Sequence, residues 1–98
     1  ISIKGESIYS ASKSAIESFS KSLASELADR NITVNNIAPG PVNTNLISKS
    51  SSIYIDDLIS RQIIKKKMEP QDLWPTVKFL LSEESKNITG EVFHIGGL

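Results

Sequence analysis

The sequence has no cysteine, which removes disulfides and thiolate metal sites and fits a reducing compartment. It has no apolar run approaching the ~20 residues a membrane helix needs, and no charged-then-apolar leader, so the expectation is a soluble, cytoplasmic chain. It has no net charge: 11 basic and 11 acidic side chains cancel, leaving no long-range attraction toward nucleic acid or an anionic membrane. It has one histidine, His94, with no partners at metal-ligand spacing, and that residue reads as structural. No metal site is expected. A G-x-G-x-x-G phosphate loop is absent as well, so nothing in these residues is built to cradle a pyrophosphate.

What is present is enough for one core. A chain of 98 residues with 39% hydrophobic and 22% charged side chains is ordinary globular material, with room for one small domain and no interdomain linker. The most informative stretch is Tyr9-Ser10-Ala11-Ser12-Lys13. Residues four apart share a helix face, so the Tyr9 phenol and the Lys13 ammonium project the same way. A free phenol is a poor acid or base at neutral pH, but a fixed cation beside it favours the phenolate. Alone, such a pair also fits a packed ring beside a solvated lysine.

Lys4 to Ser7 reads as a loop with Ser7 as N-cap, and a helix follows over residues 9–28. At 100° per residue, Tyr9, Lys13, Ile16, Ser20, Leu23 and Leu27 form its inward stripe, with Phe19 on the shoulder. Ala11, Ser14, Ser18, Ser22 and Ser25 lie nearly opposite, either a solvated serine face or a surface small enough for a second helix to pack closely. Residues 32–37 are β-branched and mixed in polarity, as in a strand entering a sheet. Pro39-Gly40-Pro41 then takes the backbone out of the sheet, Gly40 by permitting unusual torsions. Strand, helix and strand in this order predict a parallel pair, with ligands bound at its C-terminal edge.

Residues 45–54, with their run of serines, read as a surface loop, and residues 55–67 as a short helix carrying Leu58, Ile59, Gln62 and Ile63, its lysines 65–67 complementing the helix dipole. Pro70 opens a further helix that turns Leu73, Val77, Leu80 and Leu81 inward, with Pro75 kinking or loosening it and Trp74 packing. Residues 91–95 alternate as a final strand ending at Gly96-Gly97.

In this order the residues strongly resemble the short-chain dehydrogenase/reductase family. The carriers are Y-S-A-S-K at 9–13, V-N-N-I-A-P-G-P-V-N-T at 34–44, and the closing I-T-G-E-V-F-H-I-G-G at 88–97. The resemblance spans nearly the whole chain. It implies an α/β fold, the C-terminal portion of a doubly wound parallel-sheet Rossmann-type domain, with residues 1–98 as one partial domain. Ile1-Ser2-Ile3 then looks like the end of a buried strand, and the glycine-rich half, the active-site serine and a relay asparagine are expected before residue 1. Ser2 would serve only if the intervening loop were unusually short.

The implied activity is NAD(P)-dependent interconversion of a carbonyl and an alcohol, with NAD or NADP as cofactor and a small-molecule substrate. Tyr9 would be the general acid/base, with Lys13 tuning it and holding the nicotinamide ribose. Pro39, Gly40, Val42 and Thr44 correspond to the cofactor-approaching segment, and Pro41, Leu46, Ile47 and Tyr54 to the substrate wall. Gly96 stands where the family commonly has aspartate. A homodimer or homotetramer is implied through the small-residue helix face. The competing reading is a non-catalytic dimerisation or assembly module derived from the same family, and the 98-residue chain alone is expected to be inactive.

Overall fold

The computed structural model describes residues 6–43 and 52–97. Ser2, Thr44, Asn45, Leu46 and Ile47 lie outside the described residues, as does most of the expected serine-rich loop.

Helix α1 runs Ser7–Leu27. Its sequence has no glycine or proline and only two β-branched residues, Ile8 and Ile16, so nothing interrupts it. It closes through a 3₁₀ turn, Ala28–Arg30, after which Asn31 takes the left-handed conformation at φ 57° and donates to the Ala28 carbonyl at 3.1 Å. Ser7 is not the N-cap: it is already helical, and Glu6 occupies that position without a side-chain capping bond. The Glu6 carboxylate is engaged elsewhere, accepting from the Tyr54 hydroxyl at 3.0 Å.

Strands β1 (Asn36–Pro39) and β2 (Val92–Ile95) pair in parallel, Asn36 opposite Val92 through Pro39 opposite Ile95. The parallel, adjacent pairing expected from the sequence is therefore what forms. The first strand, however, begins four residues later than expected and includes Pro39. Residues 34 and 35 reach the neighbouring segment by one backbone bond, Gly90 N–H to the Val34 carbonyl at 2.8 Å, and by three that involve side chains: Val34 N–H donates to Thr89 Oγ1, Asn35 Nδ2 to the Ile88 carbonyl, and Glu91 N–H to Asn35 Oδ1. Pro39 is tolerated because donors toward β2 alternate along the strand. Asn36 N–H meets the Glu91 carbonyl and Gly40 N–H the Ile95 carbonyl, both at 2.9 Å, so the nitrogen of Pro39 faces the other edge.

Helix α2 spans Ser52–Ser60, so residues 52–54 are helical rather than loop and the helix ends well before Lys67. It ends early because the chain finds longer-range partners: Ile63 and Ile64 N–H donate to the Gly97 and Gly96 carbonyls at 3.3 and 3.0 Å. Of the lysine run, Lys65 does terminate carbonyls, its Nζ 2.8 Å from both the Ser60 and Gln62 oxygens, while Lys66 and Lys67 are exposed. Met68 then bridges to Val42, and Pro70–Asp72 form a 3₁₀ turn closed by a reciprocal Glu69–Asp72 cap. Helix α3, Trp74–Leu80, starts afresh, which puts Pro75 in its first turn, where no donor is lost. Of the two expectations at Pro75, a kink or a loosened first turn, the structure shows the second, a 3₁₀ turn followed by a new helix.

Among the described residues the core side chains are Ala24, Ile55 and Met68, and Gly40, Pro41 and Gly96 are buried at the turns after the strands. Two corrections follow for the expected core: Leu81 and Trp74 are 76% and 55% exposed. On α1 the inward stripe is covered only in its C-terminal half, where Ser20 and Ala24 are buried and Leu23 and Leu27 half-buried, while Tyr9, Lys13, Ile16 and Phe19 are exposed. The N-terminal half stays exposed because it faces β1 across an open cleft, which Tyr9, Lys13 and Ile16 line together with residues 36–39.

Candidate functional site

The uncovered N-terminal half of α1 is where the chemistry-bearing residues sit. Tyr9 and Lys13 are one turn apart, and the Lys13 ammonium lies 5.6 Å from the centre of the Tyr9 ring, within cation–π range. Both line a cleft of about 530 Å³ between α1 and β1, together with Ile16, Asn36, Pro39 and His94. Among the described residues the one ion pair is Arg61 with Asp57 on α2, so no carboxylate there takes the Lys13 charge. The cleft thus presents a phenol, an exposed ammonium and a strand, a set suited to a hydroxyl-bearing ligand.

The other expected site residues are placed unevenly. Pro39 lines the Tyr9–Lys13 cleft, but Gly40 and Pro41 are buried beyond it. Val42 turns toward Met68, with Met68 N–H donating to the Pro41 carbonyl at 2.9 Å and Asn43 N–H to the Met68 carbonyl at 2.7 Å. Gly40 does not have a positive φ, so it is not there for unusual torsions. Thr44, Leu46 and Ile47 lie outside the described residues. Tyr54, expected in the substrate wall, spends its hydroxyl on Glu6 and so ties α2 to the start of α1, three residues from Tyr9.

That bond has an electrostatic consequence. Partial burial, then the bond to the Glu6 carboxylate, then the charges of Glu6 and Tyr9 raise the Tyr54 pKa above the ordinary value of about 10. A phenol that holds its proton more tightly when folded contributes stability that is complete below about pH 10 and is lost as the pH rises through the folded value. Alkaline ultraviolet titration is expected to show a phenolate transition above the ordinary tyrosine value that Tyr54→Phe removes, and Tyr54→Phe should flatten the loss of thermal stability in that window. An unaltered titration curve in the variant would refute the assignment.

His94 is the residue whose place the sequence did not reveal. It is exposed, sits opposite Ala38 in the strand register, and shares the cleft with Tyr9 and Lys13. The signal was its alternation with Phe93 and Ile95 on β2, which is informative only once the register with β1 is known.

Residues 1–97 match the family described as Enoyl-(Acyl carrier protein) reductase. The short-chain dehydrogenase/reductase from Serratia marcescens BCRC 10948 superposes with a TM-score of 0.87 at 32% identity, over 99% of this chain and 40% of that one. This chain belongs to the short-chain dehydrogenase/reductase family. A curated member, the 3-oxoacyl-[acyl-carrier-protein] reductase FabG of Buchnera aphidicola subsp. Acyrthosiphon pisum (strain APS), is 39% identical over 94 residues, 96% of this chain and 38% of its own length. The solved 4-hydroxyisoleucine dehydrogenase complexed with NADH aligns with a TM-score of 0.80 at 36% identity, over 91% of this chain and 38% of that one. The chain therefore spans about two fifths of the length of these family members. Its α/β architecture, with a parallel strand pair beside the Tyr/Lys helix, is a portion of their Rossmann-type fold.

Proposed function

We propose that this chain supplies the acid–base half of an NAD(P)-dependent oxidoreductase that interconverts a carbonyl and an alcohol. The observation that carries the reading is the shared cleft: Tyr9 and Lys13 stand one turn apart on an exposed helix face, across the cleft from β1. A nicotinamide, when bound, supplies or accepts the hydride. Tyr9 donates a proton to the oxygen of the reduced carbon, or removes it in the reverse direction. Lys13 orients the ribose hydroxyls and places a positive charge beside the phenol as negative charge develops on it. Pro39, Gly40 and Val42 bound the cofactor side, and α2 with Tyr54 the substrate side.

The relatives' names, 3-oxoacyl-[acyl-carrier-protein] reductase among them, support carbonyl reduction, and a neighbour held with NADPH beside the one held with NADH supports either cofactor. The chain holds no glycine-rich phosphate loop, so by itself it should bind neither dinucleotide tightly. Calorimetric titration of NADH and NADPH into the 98-residue chain and into a full-length protein carrying it, beside a carbonyl-reduction assay, is the test. Tight cofactor binding by the short chain, or a full-length protein without reductase activity, would overturn the reading.

We extend the proposal to assembly. Ala11, Ser14, Ser18, Ser22 and Ser25 are all exposed along one side of α1, an arrangement that lets a second copy of the helix approach closely. Ser18→Glu or Ser22→Glu is expected to shift the full-length protein toward monomer in sedimentation. Unchanged mass in both variants would leave this face as a solvated surface and refute the dimer contact.

A further inference from the structure

Gln62 has the most deeply buried large side chain among the described residues, at 1% exposure. Its Nε2 donates to the Ile64 carbonyl at 3.2 Å and to the Lys66 carbonyl at 3.1 Å. Two carbonyl partners fix the amide orientation, because a flipped side chain would set its oxygen against both. Oε1 must then point the other way, and it has no hydrogen-bond partner there. It lies instead against glycines at the ends of both strands: a Cβ added to Gly40 would fall 1.5 Å from Oε1, and one added to Gly96 would fall 2.7 Å from it. Close Cα–H contacts to a carbonyl oxygen are the interaction such a gap permits. Room for Gln62 is therefore what requires glycine at position 40.

The surrounding backbone converges on the same side chain. Gly40 N–H reaches the Ile95 carbonyl, the Pro41 carbonyl accepts from Met68, and the Gly96 carbonyl accepts from Ile64. Gln62 thus stands where the end of α2, the turn after β1 and the turn after β2 meet. We propose that Gln62 is a positioning residue that fastens the end of α2 to the Gly40 turn, so that the substrate wall and the cofactor-facing backbone keep one fixed spacing. The catalytic part of this proposal rests on the oxidoreductase reading above; the fastening itself does not.

The test uses the full-length protein and its Gln62→Met, Gly40→Ala and Gly40→Ala/Gln62→Ala variants. Methionine keeps the volume of glutamine and deletes the donors. In Gln62→Met, hydrogen exchange should quicken at the amides of Gly40, Asn43 and Met68, and kcat should fall by about 10- to 100-fold at an assay temperature where the variant is fully folded, the scale expected when reacting groups are misplaced by about 1 Å. Gly40→Ala should lose cofactor binding or folding outright, and removing the glutamine in the double variant should restore much of what the single variant lost. A lowered melting temperature with unchanged exchange and unchanged kcat in Gln62→Met, or a Gly40→Ala defect that the second substitution does not relieve, overturns the proposal. If the unaltered protein proves to have no reductase activity, the oxidoreductase reading fails alone, and exchange and suppression still decide whether Gln62 fastens the two turns.

Discussion

In a full-length protein carrying this chain, Tyr9→Phe is expected to lower carbonyl reduction by about 10²–10⁴-fold while cofactor affinity changes little, the range general acid–base groups contribute. The substitution keeps the ring, and with it the face over which the Lys13 ammonium lies, and deletes only the hydroxyl. Because the proton is transferred in the transition state, kcat and kcat/KM should fall together. Tyr9 is 60% exposed, so the loss of one hydroxyl leaves no cavity and no buried unpaired group, and the melting temperature should stay put. Steady-state kinetics, cofactor titration and a thermal melt on the same preparation check all three. Normal turnover in the variant would remove Tyr9 from the mechanism and return the pair to a packed ring beside a solvated lysine.

The sequence showed the helix, the parallel pairing and the Tyr9–Lys13 face because each is written in local spacing. Four-residue separation places two side chains on one helix face whatever surrounds them. A helix between two β-rich segments favours a parallel crossover. What it did not show depends on partners distant in the chain. The first strand starts at Asn36 because three of the four bonds that hold residues 34 and 35 to residues 88–91, more than fifty positions away, involve side chains and so break the regular ladder. Helix α2 ends at Ser60 because Ile63 and Ile64 bond to the carbonyls of Gly97 and Gly96. Both departures are tertiary hydrogen bonds overriding local propensity.

The burial errors have a different origin. An amphipathic stripe says which face of α1 would be covered, not how much of it, and the end that carries Tyr9 and Lys13 faces β1 across an open cleft. Gln62 was legible only as the polar member of an otherwise apolar set with Leu58, Ile59 and Ile63. Ile63 turned out to be 84% exposed and Gln62 buried, the reverse of what hydropathy assigns. Gly40 carried the complementary signal, but a glycine between two prolines reads as a turn before it reads as space for another side chain.

Lys13→Met should behave differently from the tyrosine variant, and the difference separates the two roles given to the lysine. Methionine keeps most of the aliphatic length and removes the charge, so it abolishes at once the cation over the Tyr9 ring and the donor available to ribose hydroxyls. Turnover and cofactor affinity are therefore expected to fall together. Loss of a charged hydrogen bond to the cofactor alone corresponds to about 1.5–3 kcal/mol, or roughly 10- to 100-fold in Kd. Lys13→Arg gives the control: it restores the charge, but its planar guanidinium presents donors in a different geometry, so cofactor affinity should recover further than turnover. Lys13 is exposed and makes no ion pair among the described residues, so neither substitution should unsettle the fold. Cofactor titration and kinetics on Tyr9→Phe, Lys13→Met and the double variant complete the measurement. Charge acting on the phenol predicts that the double variant is no slower than the worse single one, because once the hydroxyl is gone the cation has nothing to stabilise. Losses in turnover that simply multiply, with cofactor saturating in every case, would confine Lys13 to work independent of Tyr9.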